Sequence, residues 1–283
     1  MSRKSRVPGN FSHHFIGKRK APHGGWRNFH PTDPNVVHDD PNDHVASISE
    51  ATGNIVVTFT DAVTGTVFID DMAIYAIPLV NKHGEGVTFR DPFVLMTQAE
   101  LISITGDYGD SNEHEPCFGF AIGQNPGGAG TDAVVDGSNH WIGMGHYIFN
   151  ASANVKRLSG RSKDATGHTS SKSSNLALDT ELCHCVYSVG PSVGTTTQES
   201  DSVYLLGHFN DTSGNAYAKD NNVVTNTISI TQDNATFDSD GQVYLYAWFG
   251  SYQTADGSAD ASVLTCRMRY MCDSNLGWGG TGT

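Results

Sequence analysis

The feature that most constrains the fold is a succession of short runs rich in β-branched and aromatic residues, separated by residues that favour turns. Such runs, bounded by Gly, Pro, Asn or Asp, predict β-strands. The first two, residues 54–60 and 66–80, flank a turn cluster and predict a hairpin. The other predicted strands cover residues 93–104, 117–123, 140–149, 182–189, 202–209, 223–231, 242–252 and 261–271, and for residues 93–104 a short helix is the alternative.

The last two predicted strands show how their faces are used. Residues 242–252 are apolar on both faces, which is typical of a strand inside a packed sheet. Residues 261–271 have one apolar face, whereas the other face contains Val263, Thr265, Arg267 and Arg269 and should be hydrated. Because no helical stretch separates the strands, we predict an all-β fold, an antiparallel two-sheet sandwich of jelly-roll or concanavalin-like form.

Charge is distributed unevenly along the 283 residues. Residues 1–27 contain seven of the 17 Lys and Arg residues and no carboxylate, so their formal charge is +7 and that of the remainder is −20. Residues 1–44 also contain five of the ten prolines and have no hydrophobic period. We therefore predict an extended basic arm over residues 1–44, a sandwich domain over 45–273 and a flexible C-terminal tail over 274–283.

The arm combines cations with apolar anchors, which a plain linker does not need. Aromatic anchors of this kind fill pockets on a partner, so the arm is predicted to dock on neighbouring subunits. An alternative is that the arm binds nucleic acid through its cations. The predicted partner-binding residues are Arg3, Lys4, Arg6, Phe11, Phe15, Lys18, Arg19, Lys20, Trp26, Arg27 and Phe29.

No stretch of about 18 apolar residues is present, so we predict no membrane span. The N-terminus also lacks the apolar segment of a signal peptide, because Phe15 and Ile16 are followed directly by Gly17, Lys18 and Arg19. We therefore expect synthesis in the cytoplasm without a signal peptide.

Acidic residues cluster in the segment between residues 107 and 115. Asp107, Asp110, Glu113 and Glu115 are candidate calcium ligands, although solvated loop carboxylates are the alternative. Glu113 and Glu115 also have the spacing of a glycosidase pair. Their context, E-H-E-P-C, differs from the E-x-D-x-x-E of jelly-roll glucanases, so we predict no enzymatic activity, with glycoside hydrolysis as the alternative, and no cofactor.

Five cysteines are predicted to be reduced and buried, because a chain of this length can build a core without disulfides. Cys183 and Cys185 fall on one face of a predicted strand, and a metal site there is the alternative. Residues 158–175 are polar and Ser-rich, and they predict a long exposed loop.

A basic arm with aromatic anchors that precedes a strand-rich body resembles the virion structural proteins of bacteriophages and other viruses. This resemblance implies a non-enzymatic capsid, decoration or tail-associated component, located in the virion and docked on copies of itself or on other virion proteins. Segments such as CFGFAIG (117–123) and QVYLYAWF (242–249) resemble concanavalin-like lectin sandwiches. That second resemblance implies a glycan-binding module or adhesin, with surface Trp and Tyr residues as stacking platforms. A third alternative is a capsid protein whose arm binds nucleic acid.

Overall fold

The computed structural model describes residues 26–60, 69–81, 83–88, 94–106, 114–123, 141–149, 155–164, 167–172, 176–177, 182–191, 200–210, 223–231, 242–253, 262–272 and 276–278. Over these residues the regular structure consists of seventeen β-strands and one turn of 3-10 helix, Ile69–Asp71. The described residues include no helix long and apolar enough to cross a membrane. All the strand pairs are antiparallel and form two sheets, which we call sheet A and sheet B.

Sheet A is built around strand β16. Its strands are, in spatial order, β14 (Val223–Thr231), β13 (Ser200–Asn210), β12 (Leu182–Pro191), β6 (Val94–Thr105), β16 (Val263–Cys272), β4 (Asn54–Phe59) and β3 (Val45–Ala51). A short strand, β1 (Arg27–Asn28), pairs with the C-terminal half of β16.

Sheet B is built around strand β15. Its strands are, in spatial order, β10 (Gly167–Lys172), β9 (Val155–Asp164), β8 (Trp141–Phe149), β7 (His114–Gly123), β15 (Tyr244–Gln253), β5 (Ala73–Asn81) and β17 (Leu276–Trp278). Two short strands complete the sheet, because β2 (Val37–Asp39) pairs with β5 and β11 (Leu176–Ala177) pairs with β9.

The two sheets pack face to face over one hydrophobic core. Phe59 and Tyr270 of sheet A and Phe118 and Phe249 of sheet B are fully buried in it. His146 of β8 also crosses the interface, since its Nε2 donates to the carbonyl oxygen of Ala99 in β6 over 2.8 Å. The predicted all-β two-sheet sandwich is therefore confirmed.

Strand faces agree with the sequence pattern where it is clearest. Along β16, Leu264, Cys266, Met268 and Tyr270 are buried, and the residues that alternate with them from Val263 to Arg269 are partly exposed. Along β15, Leu245 and Phe249 face the core, whereas Tyr246 and Trp248 are buried in a second cluster on the other face of sheet B. The predicted strand over residues 93–104 is also present, as β6.

The predicted hairpin between residues 54–60 and 66–80 is wrong. Its two strands exist, but β4 lies in sheet A and β5 lies in sheet B. The physical reason is that β5 is buried on both faces, which suits a position inside sheet B. The predicted turn cluster, residues 61–65, lies outside the described residues.

The segment over residues 158–175 differs from the predicted exposed loop. Strands β9 and β10 pair within it as a hairpin at the border of sheet B, with Gly167 opposite Asp164. Polar and charged residues are common on strands at a sheet edge, because they hinder pairing of the edge with another chain. Low hydrophobicity was therefore a poor guide to backbone structure here.

Strand pairing and core packing begin at the end of the predicted arm, before Val45. Strand β1 joins sheet A, and Phe29 after it is only 2% exposed and packs edge-on against Phe120, with ring centroids 5.7 Å apart. Strand β2 then joins sheet B, and β3 returns to sheet A. Residues 26–44, which we call the clasp, thus link both sheets. At the other end, β17 pairs with β5 within the predicted C-terminal tail.

A tight turn between β3 and β4 fixes the start of β4. Ala51 lies opposite Asn54, and the two residues between them, Thr52 and Gly53, have positive φ angles of 55° and 76°. A two-residue hairpin loop of this kind matches the twist of the strands that it joins. Asn54 is therefore held in register with the strands on either side of β4.

Candidate binding face on sheet A

Register brings polar residues together at the centre of sheet A, on the face away from the core. Arg267 lies opposite Glu100, and Arg269 lies opposite Gln98 on one side and Asn28 on the other. The residues that alternate with them in β6 and β16, such as Ala99, Leu101 and Met268, are in the core. Since side chains alternate along a strand, the polar residues share the outer face.

Hydrogen bonds connect these side chains across three strands. Glu100 Oε2 accepts from Arg267 Nη1 over 3.2 Å and from Arg269 Nη2 over 3.4 Å. Arg267 Nε donates to Asn54 Oδ1 over 3.2 Å. We call this group the polar array, and it consists of Asn28, Asn54, Gln98, Glu100, Arg267 and Arg269.

The array is compact and half-buried. The Arg267 side chain is 32% exposed, that of Arg269 is 28% exposed and that of Glu100 is 16% exposed. Neighbouring strands lie about 4.8 Å apart and alternate residues about 6.7 Å apart, so the array covers roughly 10 by 7 Å. The area offered to a ligand is therefore that of a small molecule or of one or two sugar rings.

The array carries a net positive charge on an acidic protein. Two guanidinium groups and one carboxylate give a formal charge of +1, whereas that of the chain is −13. Each guanidinium has five N–H donors, and the three bonds described above are those that they form with other described residues. Donors therefore remain for a ligand, beside the three carboxamide groups of Asn28, Asn54 and Gln98.

The clasp that carries Asn28 is itself fastened by titratable groups. His30 Nδ1 bonds Glu50 Oε2 over 2.7 Å, and Thr32 Oγ1 donates to Glu50 Oε1 over 2.6 Å. Partial burial acts to raise the pKa of Glu50, but the hydrogen bonds from His30 and Thr32 outweigh it and lower that pKa below its usual value. Glu50 is therefore held ionised, as an acceptor for both clasp residues.

The far end of the clasp depends on a neutral histidine. His44 is buried, and its Nδ1 accepts the backbone N–H of Ser251 in β15 over 3.2 Å. Asp40 accepts the backbone N–H groups of His44 and Val45 over 2.8 and 2.9 Å. Burial lowers the pKa of His44, although the charge of Asp40 acts against this.

Most of the predicted partner-binding residues lie outside the described residues: Arg3, Lys4, Arg6, Phe11, Phe15, Lys18, Arg19 and Lys20. Of the other three, Arg27 is exposed on β1, Trp26 is half-buried and Phe29 is in the core of its own chain. The structure thus gives Phe29 an intrachain role, because its ring fills the space between the two sheets. Docking on a neighbour stays a prediction for the rest of the arm.

The predicted calcium and glycosidase residues are not assembled within the described part of the chain. Asp107, Asp110 and Glu113 lie outside it, and Glu115 in β7 accepts a hydrogen bond from Tyr147 Oη over 2.8 Å. Over the described ranges, no group of three or more His, Cys, Asp or Glu side chains could hold a metal ion. Cys117 and Cys266 are reduced and buried, and burial raises the pKa of the Cys266 thiol.

Two tryptophans whose burial is described are not available as surface stacking platforms. Trp141 and Trp248 are 1% and 3% exposed and belong to the second cluster, on the outer face of sheet B. Sequence reasoning identified the hydrated face of β16 but missed the array, because its members come from four strands that are far apart in sequence. Only the register of β16 with β6, β4 and β1 brings them together.

Comparison with known proteins gives neither a family nor a close relative. No protein-family model and no curated protein matches the sequence. Among solved structures, the CBM2 module of the evolved Dit of Lactobacillus casei BL23 phage J-1 is 10% identical and has a TM-score of 0.41, over 87% of this chain and 94% of that one. The metal-free lectin I-B4 of Griffonia simplicifolia is 8% identical with a TM-score of 0.39, over 88% of this chain and 100% of that one. With TM-scores below 0.5, these likenesses assign no ligand to this chain.

Proposed function

We propose that this chain is a non-enzymatic carbohydrate-binding β-sandwich and that the outer face of sheet A is its binding face. The observation that carries this proposal is the polar array, in which Glu100, Arg267 and Asn54 are linked across three neighbouring strands. Hydrogen-bonding groups on rigid strands are held in fixed positions, so little freedom is lost when a ligand binds.

The mixture of groups in the array suits a polyhydroxylated ligand. Each sugar hydroxyl can donate one hydrogen bond and accept others. The array offers donors on Arg267 and Arg269, acceptors on Glu100 and both kinds on each carboxamide, within roughly 10 by 7 Å. A ligand with closely spaced hydroxyl groups can therefore use every type of side chain present.

The same composition argues against two other functions for this face. Glycoside hydrolysis uses two carboxyl groups on either side of the scissile bond, and Glu100 is the one carboxylate of the array. Nucleic acid is held mainly by cations on its phosphates, and a central carboxylate on a chain of charge −13 would weaken such binding. Carbohydrate recognition needs neither feature.

A glycan array probed with the full chain tests the proposal. We expect binding to at least one glycan, and we expect the double variant Arg267→Gln, Arg269→Gln to lose about ten-fold or more in affinity. Arg27→Gln is the control for the loss of a surface cation, because it removes one positive charge, against two in the double variant, from an exposed position on β1 outside the polar array. Circular dichroism of both variants checks that they are folded. The proposal would be contradicted if the wild type bound no glycan on the glycan array. It would also be contradicted if the double variant and the control lost affinity equally.

A second candidate, compatible with the first, is a structural component of a virus particle that is anchored by its N-terminus. The observation that favours it is that residues 1–25 contain six Lys and Arg residues and no carboxylate, whereas the rest of the chain is strongly acidic. Such a segment would offset repulsion between acidic neighbours. Deleting residues 1–25 should abolish incorporation into the particle while leaving the sandwich folded, and full incorporation of the truncated chain would exclude this role.

A further inference from the structure

We infer that the ligand of this face is an acidic glycan, and that its carboxylate or sulfate group is bound by Arg269. The inference rests on the proposed carbohydrate binding at the same face and adds the chemical class of the ligand. It is drawn from the difference between the hydrogen bonds of Arg267 and those of Arg269.

Arg267 is hydrogen-bonded to residues of both neighbouring strands. Its Nε and Nη1 donate to Asn54 and Glu100, each over 3.2 Å, on opposite sides of β16. The guanidinium is thereby fixed between β4 and β6. Arg267 is best understood as a positioning residue, which keeps Glu100 and Asn54 in place.

Arg269 is held much more weakly. Within the described residues it makes one hydrogen bond, from Nη2 to Glu100 over 3.4 Å, to a carboxylate oxygen that already accepts from Arg267. One carboxylate can balance only one of the two guanidinium charges. The uncompensated positive charge of the array is therefore centred on Arg269, together with most of its N–H donors.

The position of Arg269 favours an anionic group within a ligand that also has hydroxyl groups. A guanidinium can bind a carboxylate or a sulfate through two parallel hydrogen bonds, and partial burial reduces the screening of such a pair by salt. Gln98 and Asn28 lie on either side of Arg269 in the register of the sheet. Their carboxamides can bond the hydroxyl groups next to the acidic group of a sugar, which an isolated anion would not use.

The surrounding charge selects against long polyanions. The chain outside residues 1–27 has a formal charge of −20, so an extended chain of phosphates would be repelled over most of its length. A glycan with acidic groups set among neutral hydroxyls places one charge at Arg269 with less repulsion elsewhere. We therefore take an acidic glycan, and not a nucleic acid, as the ligand.

Calorimetric titration of the full chain with matched acidic and neutral glycans tests the inference. The probes are oligogalacturonate with its methyl ester, and a sulfated galactan with its desulfated form. We expect one acidic form to bind about ten-fold or more tightly than its neutral partner. Arg269→Gln should remove that preference, Arg269→Lys should retain part of it because the charge remains without the two-pronged geometry, and Arg27→Gln should leave it unchanged.

The outcomes separate this inference from the proposed function. If neutral glycans bind as well as acidic ones, or if Arg269→Gln retains the preference, the inference is wrong while carbohydrate binding stands. If the wild type binds neither these probes nor any member of the glycan array, both are wrong. If duplex DNA binds as tightly as the acidic glycans, the face is a general anion site and the inference is overturned.

Discussion

Strands β15 and β16 follow one another in the sequence but have opposite environments on their outer faces. On sheet B, Tyr246 and Trp248 of β15 are 2% and 3% exposed. On sheet A, the side chains of Arg267 and Arg269 of β16 are about a third exposed, at 32% and 28%. Both strands place apolar residues in the shared core. They therefore differ only in the side chains on their outer faces, which are buried and aromatic on β15 and polar and partly exposed on β16.

The outer face of sheet B is therefore covered around β15, whereas the outer face of sheet A is partly exposed around β16. Ile69 and Met72, at the 3-10 turn before β5, pack on the outer face of sheet B with the aromatic cluster. Glycines make room for them, since a Cβ atom at Gly250 would lie 2.7 Å from Met72 Cγ and one at Gly143 would lie 2.8 Å from Ile69 Cδ1. The outer face of sheet A, in contrast, offers a ligand a hydrated surface with hydrogen-bonding groups.

The largest effect should come from removing the clasp, which belongs to both sheets. Deleting residues 1–44 should leave an unfolded chain, because the loss of Phe29 alone costs about 3–5 kcal/mol and the total stability of a domain is about 5–15 kcal/mol. Deleting residues 1–25 is the matched control and should change the free energy of unfolding by less than about 1 kcal/mol. Urea denaturation followed by tryptophan fluorescence measures both. A stable, cooperative 45–283 fragment would show that the clasp is dispensable.

Trp248→Ala tests whether the outer face of sheet B is covered around β15. We expect a loss of about 3–5 kcal/mol in the free energy of unfolding, because a large buried side chain is replaced by a cavity. Thr265→Ala, on the outer face of β16, is the control and should cost about 0.5 kcal/mol or less. Similar losses in the two variants would break the distinction between the sheets.

The sequence allowed strands β4–β8 and β12–β16 and the apolar faces of β15 and β16 to be predicted, because the period of two is local, whereas β1–β3, β9–β11 and β17 were not predicted. It did not allow the partners of Arg267 and Arg269 to be predicted, since Glu100 and Asn54 approach them only through pairings that span more than a hundred residues of chain. The clasp was missed for a similar reason. Its Pro-rich sequence has no period of its own, and its order comes from Phe29 and from hydrogen bonds to Glu50 and Ser251.

Lowering the pH should reduce the free energy of unfolding in two steps, one due to His44 and one due to Glu50. The pKa of His44 is lowered in the folded state, so its contribution is complete above the unfolded value of 6.5 and is lost as pH falls below it. The pKa of Glu50 is lowered from 4.5, so its contribution is lost in the same direction but only below that value. The urea concentration at the unfolding midpoint, measured from pH 8 to pH 3, should decrease in each of these two pH ranges.

Two variants assign these steps to their residues. His44→Asn, whose side-chain oxygen can still accept the Ser251 N–H, should flatten the upper window, and Glu50→Gln should flatten the lower one and cost about 1 kcal/mol at neutral pH. An unchanged pH profile in either variant would show that another group titrates there.

The smallest effect on stability should come from the polar array. Arg267→Gln should reduce the free energy of unfolding by only about 0.2–1 kcal/mol, because partly exposed ion pairs contribute little. Its effect on glycan affinity should be the larger one, since Glu100 and Asn54 lose their link. Thermal unfolding and calorimetric titration of the same samples separate the two quantities. A stability loss comparable to that of Trp248→Ala would make the array a structural element and not a binding face.

The most direct test of the outer face of sheet A as a binding face is a crystal structure of the full chain with the tightest-binding glycan. We predict an acidic group of the sugar within hydrogen-bond distance of the Arg269 guanidinium, with neighbouring hydroxyl groups on Gln98 and Asn28. A glycan bound elsewhere on the molecule, with the polar array unchanged and in contact only with solvent, would contradict this account.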